Sequence, residues 1–545
     1  MSKEDKLIQT INVSTNSVDE KYEFANDSNR VVDEKDQITT FSFLRKISDK
    51  LDSFGVETNG IERVSPHARS RNRIKQFLSV IGLWMAGCGG LTTMSSFYLG
   101  SLLFGLGLRN ALITGLLGQF VGCAVASYCS LMGPRSGCRQ IITARFLFGW
   151  WMVKFVGLIN IIGLVGWASV NCIVGGQILS KVSEDHIPLV VSIVIMVILS
   201  LAIAIVGVRF FLKAESFLSI PIIGSSLMLY IVSASKYKYL TWEDSVSVNS
   251  PTLYGNAFSF LTLCYSITST WGSCASDYYI LFPQDTPDIQ VFFVTLIGTL
   301  VPTTAVGVAA ILVGNIAVTY KPWADAFDSS SLGGLLGAVF EPWGAGGKFI
   351  MVLMFLSLIA NNAIGTYSTV FSVQIIALPL ARVPRWFWSF IQSVACLVLA
   401  IAGRGKFVTI LGNLLPMIGY WVSIYFFLLL EENAIFRTRF FRHLYTKEFE
   451  EIESDDESLA GGNTNYNFSI WNTQTKLTHG IAATVAFVCG AAGAAVGMAQ
   501  TYWIGPLAKK VGGDYGGDIG MWLSMAFSGV VYPLLRYWEL RKFGR

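Results

Sequence analysis

An all-α polytopic membrane protein is the fold class that this sequence predicts, and three observations predict it. The 545 residues are 52% hydrophobic and 14% charged, with a mean hydropathy of +0.52, whereas soluble domains carry about 25% charged residues. Twelve apolar runs have the length needed to cross about 30 Å of hydrocarbon. They lie near 77–104, 110–132, 150–180, 188–208, 217–235, 256–282, 289–316, 347–375, 386–403, 405–430, 478–500 and 519–537. Basic residues cluster between alternate runs, as the positive-inside rule requires.

Arg63, Arg69, Arg71, Arg73 and Lys75 precede the first run and place the N-terminus in the cytoplasm. Arg135, Arg139 and Arg145, then Arg209 and Lys213, then Arg382 and Arg385, fall on the same side, as do Arg437, Arg439, Arg442 and the terminal Arg536, Arg541, Lys542 and Arg545. The loop Pro283–Asp288 has no basic residue. Both termini are expected to be cytoplasmic. The net charge of +4 is then topological and gives no sign of nucleic-acid binding. Residues 1–62 are polar and mixed in charge and read as a disordered cytoplasmic tail. The chain then divides into a ten-helix core (63–430), a cytoplasmic loop (431–477), two peripheral helices (478–537) and a cytoplasmic end (538–545). Within the loop, Glu448 to Asn467 is acidic and Gly/Asn-rich and predicts a flexible stretch. The nine cysteines lack metal-site spacing, so small buried hydrophobes is their reading. No nucleophile–base pair is visible, so the chain is not expected to be an enzyme.

Two of the runs are interrupted. The first carries Gly87-Cys88-Gly89-Gly90-Leu91-Thr92-Thr93-Met94-Ser95-Ser96, and the sixth carries a hydroxyl-rich stretch from Ser266 to Asp277. An unpaired backbone group in hydrocarbon costs several kcal/mol, so such breaks are tolerated only where they line a protein cavity. Matching breaks five runs apart predict two inverted five-helix repeats, the LeuT-like architecture of transporters, with a solute site at the bilayer midplane. The last two runs are peripheral.

Other polar residues converge on the same depth. Trp167 and Asn171, four apart in the third run, share a helix face. An indole above an amide suits a flat heteroaromatic ligand, although interfacial tryptophan and helix–helix asparagine are common alternatives. Trp271 sits inside the second break, where close packing has no use for a bulky ring, and two tryptophans, one per repeat, make a sandwich for a planar solute. Asn361 and Asn362 are adjacent amides in the eighth run, costly there unless bonded to a neighbour or a ligand. Asp277, at the end of the second break, is either a protonatable coupling group or a cap for the following half-helix. Glu215, Glu431 and Glu432 fall at run ends and are expected to be solvated. The basic turn Gly133–Gln140 either gates the inner mouth or anchors to lipid headgroups.

The sequence resembles the fungal purine–cytosine permeases of nucleobase–cation symporter family 1. The resemblance rests on Gly60-Ile61-Glu62-Arg63-Val64, Gly133-Pro134-Arg135-Ser136-Gly137-Cys138-Arg139-Gln140, Gly166-Trp167 through Gly176, Ala360-Asn361-Asn362, Gly419-Tyr420-Trp421 and Gly497-Met498-Ala499-Gln500, and covers roughly residues 55–540. It implies a LeuT-like fold and proton-coupled uptake at the plasma membrane with no cofactor. It also implies a substrate site at Trp167, Asn171, Trp271, Asn361 and Asn362 with one polar residue of the first break, Thr92, Ser95 or Ser96. One departure stands out. Purine–cytosine members continue the amide pair with Cys-Pro-Asn, whereas this chain reads Ala363-Ile364-Gly365. Arg63-Val64-Ser65-Pro66, Tyr278-Tyr279-Ile280-Leu281-Phe282-Pro283 and the ending Glu539-Leu540-Arg541-Lys542-Phe543-Gly544-Arg545 look closer to the vitamin B6 (pyridoxine) branch. The partners expected are therefore a small planar heterocycle, protons and membrane lipids. Uptake of cytosine or purines is the alternative. A nutrient sensor built on the same scaffold is a third reading, which the modest tail does not favour.

Overall fold

The computed structural model describes residues 60–205, 208–245, 250–449 and 465–545. The tail predicted over 1–62 and the acidic stretch predicted over 448–467 lie outside these residues, apart from their ends. Fourteen helices carry the architecture. They are α1 (Arg73–Cys88), α2 (Leu91–Phe97), α3 (Leu108–Ser130), α4 (Arg145–Val182), α5 (Leu189–Ile205), α6 (Val208–Ser233) and α7 (Pro251–Ser269), then α8 (Asp288–Thr319), α9 (Lys321–Phe340), α10 (Gly344–Gln374), α11 (Arg385–Gly403), α12 (Phe407–Glu431), α13 (Ile481–Gly497) and α14 (Gly520–Phe543). A helix stands at each of the twelve predicted runs. By length and hydropathy alone, seven described helices qualify to cross a membrane, and α1 with the bent segment after it makes an eighth. The count of twelve spans thus remains an expectation.

The first break is shorter than the sequence suggests. Only Gly89 and Gly90 leave the helix, and the chain bends by 45° before α2 resumes at Leu91. Gly90 has no room for a side chain, because a Cβ there would run into Ser357 of α10. The second break begins after Ser269 and continues as two 3-10 turns, Thr270–Ser273 and Ala275–Tyr278, with no second α-helical half. Both breaks sit at the centre: α1 packs on α6 and α8, α7 on α3 and α12, and α4 on α10. The pair α13 and α14 packs on itself and against α12.

Segment 321–340, outside the predicted runs, is helical. Its buried Leu332, Leu335, Leu336, Val339 and Phe340 recur at helical spacing and lie over α4. The chain breaks sharply at Ser330 and Ser331 before that face begins.

Two of the three glutamates expected to be solvated, Glu215 and Glu432, are not. Glu432 is fully buried and bonded by Arg437 (3.0 Å), Arg536 (3.1 Å), Tyr445 (2.9 Å) and Tyr532 (2.8 Å). Arg437 also holds Glu448 at 2.8 Å, which in turn accepts from the Asn467 amide N–H at 2.9 Å. These long-range partners lie far apart in sequence and close the ends of the 431–477 loop onto α14. Glu215 is fully buried too, and Glu431 has one shielded oxygen without a partner.

At the predicted cytoplasmic end, residues 63–70 form a strap. The Val64 N–H donates to Gly137 O, the Ser70 N–H to Leu281 O, Arg63 to Ser136 O and Arg69 to Pro134 O. The strap thus ties the basic turn to the end of the sixth run. Burial pushes the Arg69 guanidinium down to about 10, with Arg63 adding to the effect, and pushes the Cys138 thiol up to about 11. Neither is a solvated surface group.

Inside α4, Gly149 has φ 65° and ψ −167°, a conformation essentially confined to glycine and worth about 1–3 kcal/mol of strain for other residues. A side chain there would also meet the Thr478 and His479 carbonyls. Gly149→Ala is therefore predicted to lower the unfolding temperature of the detergent-purified chain; an unchanged transition would contradict this packing.

Candidate substrate site

The site is best built from the unpaired peptide groups of the first break, since each finds a partner on another element. The Gly87 carbonyl accepts from Asn361 Nδ2 at 2.8 Å, and the Gly89 carbonyl accepts from Ser226 of α6 at 2.9 Å. The Cys88 carbonyl accepts from the Thr93 hydroxyl at 2.8 Å, and the Leu91 N–H donates to Ser357 Oγ at 3.0 Å. An unpaired backbone group would be costly at this depth. The break is therefore held open by side chains and not left loose.

Asn361 does a second job. Its Oδ1 accepts from Asn171 Nδ2 at 3.0 Å, and the same Nδ2 donates to Asn362 Oδ1 at 2.9 Å. Asn362 completes its bonding to the Ala168 carbonyl and Cys172 Sγ, both at 3.3 Å. The three asparagines thus form one cluster joining α4, α10 and the break of α1.

Beside this cluster lies a small cavity. Its wall combines Thr92 and Thr93 of the first break, Asn160, Trp167 and Ala168 of α4, Thr270, Trp271 and Ser273 of the second break, Asn361, Asn362 and Gly365 of α10, and Ile418 of α12. The structure therefore brings together Thr92, Trp167, Trp271, Asn361 and Asn362 on one surface. Asn171 sits behind that wall and orients the two amides. Ser95 and Ser96 do not reach the cavity. α2 has already resumed at Leu91, so these serines turn into the protein, where Ser95 donates to the Thr92 carbonyl at 2.7 Å and Ser96 is fully buried.

Trp271 is braced edge-on by Trp84, with centroids 5.4 Å apart at 78°, and Trp84 donates to Tyr279 at 2.9 Å. The two cavity tryptophans have different supports. Trp167 keeps its indole N–H without a protein partner, as do the Thr92 hydroxyl and Asn171 Oδ1. Buried polar groups of this kind ordinarily find partners, so a planar solute with acceptors on its edge matches what the wall offers.

Asp277 lies outside the cavity. Its Oδ1 accepts from the Gln140 N–H at 2.7 Å, its carbonyl accepts from Arg139 at 3.1 Å, and Gln140 Oε1 accepts from the Ser276 N–H at 2.9 Å. The carboxylate caps the one-turn helix Gln140–Thr143 at the end of the basic turn, and no α-helical half follows it directly in sequence. Asn160, Thr270, Ser273, Gly365 and Ile418 are among the other residues of the wall. Thr270 and Ser273 belong to the hydroxyl-rich second break, and Asn160 precedes Trp167 by seven residues on the same helix face, so these three carried a legible signal. Its Nδ2 donates to Ser372 of α10 at 2.9 Å.

The family of permeases for cytosine/purines, uracil, thiamine and allantoin matches residues 68–513. The chain belongs to this permease family. Among relatives, the vitamin B6 transporter TPN1 of Saccharomyces cerevisiae is 51% identical over 524 residues, covering 92% of this chain and 90% of the relative. The purine-cytosine permease FCY21 of the same yeast is 29% identical, covering 92% and 90%. Among solved structures, the nucleobase-cation-symport-1 transporter Mhp1, closed with bromovinylhydantoin bound, superposes with a TM-score of 0.59 at 11% identity, covering 90% of this chain and 96% of Mhp1. That likeness shows the LeuT-like fold. These permease relatives are transporters and not enzymes.

The asparagine cluster gives a sharp test within this permease fold. Asn171→Ala leaves the acceptors of Asn361 and Asn362 buried without a donor, a loss of about 1–3 kcal/mol per group. Substrate uptake at matched surface abundance is predicted to lose at least tenfold in apparent affinity, and wild-type affinity would refute the positioning role.

Proposed function

We propose that the chain takes up vitamin B6, as pyridoxine and related vitamers, across the plasma membrane by proton symport with alternating access. The observation that carries the reading is the cavity. Two tryptophans and a linked asparagine cluster meet there, in a chain 51% identical to a vitamin B6 transporter. Pyridoxine is a flat nitrogen heterocycle with hydroxyl groups on its edge. Trp167 and Trp271 take the ring faces, while the free Trp167 N–H and Thr92 hydroxyl take acceptors on the edge. Gly365 leaves room, since a Cβ placed there meets nothing within 4 Å.

Both termini face the cytoplasm in this reading, and residues 63–430 form the moving core with 478–537 at its side. Asp277, the carboxylate that the sequence offered for coupling, ties the second break to the basic turn by accepting from the Gln140 N–H. The second reading is purine–cytosine uptake, which the amide cluster and the 29% identity to a purine-cytosine permease favour.

Competition separates them. Expressed in cells lacking vitamin B6 uptake, the chain is predicted to accumulate labelled pyridoxine in a proton-dependent way, with unlabelled cytosine and adenine competing poorly. Efficient competition by cytosine with none by pyridoxine would reverse the assignment. Trp271→Ala removes an aromatic contact worth about 0.5–1.5 kcal/mol beyond area burial, so apparent affinity should fall several-fold or more in correctly localised protein.

A further inference from the structure

Glu215 stands apart from every other carboxylate in the described core. It lies inside α6, is fully buried, and neither of its oxygens has a hydrogen-bond partner. By contrast, buried Glu432 is held by two arginines and two tyrosines, and Asp277 by a backbone N–H.

Its neighbours fix where Glu215 sits. The next residue, Ser216, packs against Gly82 of α1 and donates to the Ser79 carbonyl at 3.1 Å. Farther along, Ile222 meets Ala86 of α1 and Ala360 of α10, with Leu218 packed on the same cluster. Glu215, Leu218 and Ile222 are three and four apart, so they share a helix face. Glu215 therefore looks into the seam between α1 and α10. It lies about 10 Å below the Ala86–Ala360 contact, at 1.5 Å of rise per residue, on the side of the predicted cytoplasmic mouth. Immediately above that contact is the Gly87–Asn361 hydrogen bond at the cavity.

Among the described side chains, the surrounding elements offer it no compensating charge. α1 brings Arg73 and Lys75 in its first turn, and Arg73 is engaged by Asp285 at 2.8 Å. α10 brings Lys348, which pairs with Glu184, and the neutral Tyr367. α8 brings Asp288, which pairs with Arg135 at 2.5 Å. α9, with Lys321, Asp325 and Asp328, begins beside Tyr239, past the far end of α6. On α6 itself, Arg209 and Lys213 precede it in sequence. Among the described side chains, none bonds to Glu215.

We propose that Glu215 carries the coupled proton. The inference rests on the reading of the chain as a proton symporter. An unpaired carboxylate in a closed helix seam is strongly disfavoured, whereas the neutral carboxyl is tolerated. The closed seam between α6, α1 and α10 therefore holds Glu215 as the acid. Inward opening must part helices on the cytoplasmic side of the cavity, and parting this seam lets water reach the carboxyl. The O–H bond then breaks, the proton leaves to cytoplasmic water, and the carboxylate stays hydrated until outward return supplies a proton from external water. On the outward side that water reaches the carboxyl through the cavity, and the seam seals beneath bound solute only once the group is neutral, which links the loaded step to proton uptake.

Full-length chain in proteoliposomes tests this with Glu215→Gln, a neutral isostere. Pyridoxine counterflow, which needs no net proton movement, is predicted to stay within about twofold of wild type. Accumulation driven by a proton gradient is predicted to fall at least tenfold, and the pH dependence of uptake to flatten. Gradient-driven accumulation with the wild-type pH profile in Glu215→Gln overturns the proposal. Loss of counterflow in protein of unchanged thermal stability also overturns it, because that marks a structural role. Should Glu215→Gln not reach the membrane, Glu215→Asp decides: a retained but shifted pH profile supports the proposal, and an unshifted one refutes it. Asp277→Asn run in parallel is predicted to keep gradient-driven accumulation; its loss there with none in Glu215→Gln assigns the proton to Asp277. A wild-type chain that accumulates no pyridoxine under a proton gradient overturns the functional reading first, and this inference with it.

Discussion

The peptide groups freed where the first helix breaks set the terms for the centre of this molecule. At membrane depth they cannot turn to solvent, so each must meet a side chain from another element. Asn361, Ser226, Thr93 and Ser357 fill that need for Gly87, Gly89, Cys88 and Leu91 in turn. Two of the donors come from α10 and α6. The break is thereby a junction among three elements, and any motion of α1 must exchange or carry these bonds.

Asn361 extends the junction to α4 through Asn171, which also holds Asn362. A single amide nitrogen thus sets the orientation of both α10 asparagines toward the cavity. Trp271 comes from the other break and is braced by Trp84 of α1, the helix that the first break ends. The two breaks are coupled through an aromatic contact as well as through the solute they would share. The strap at 63–70 ties the basic turn to the end of the sixth run on the predicted cytoplasmic side of that cavity. Arg63 and Arg69 hold those parts by bonds to carbonyls.

Much of this arrangement was legible in the residues. Apolar run length marked a helix at each of the twelve runs, because hydropathy is a property of short windows. The paired breaks marked the cavity, because clustered glycine and hydroxyl residues have few other uses in hydrocarbon. Where sequence reasoning fell short, direction or distance was at stake. Thr92, Ser95 and Ser96 look equivalent on paper, but the early restart of α2 sends only Thr92 to the cavity. Glu432 reads as a solvated end residue until Arg536, 104 positions later, comes to meet it. Glu215 reads the same way, and only packing of α6 into the α1–α10 seam removes it from water. The helix Lys321–Phe340 escaped notice because its apolar face is short and follows a polar half.

The central claim is that the two breaks and the asparagine cluster form one solute site. A cryo-electron microscopy structure of the full-length chain with pyridoxine tests it most directly. The account predicts the pyridine ring between Trp167 and Trp271, with edge atoms within hydrogen-bond distance of Trp167 Nε1 and the Thr92 hydroxyl. Ligand density elsewhere in the bundle, with this cavity filled by rearranged side chains, would contradict it.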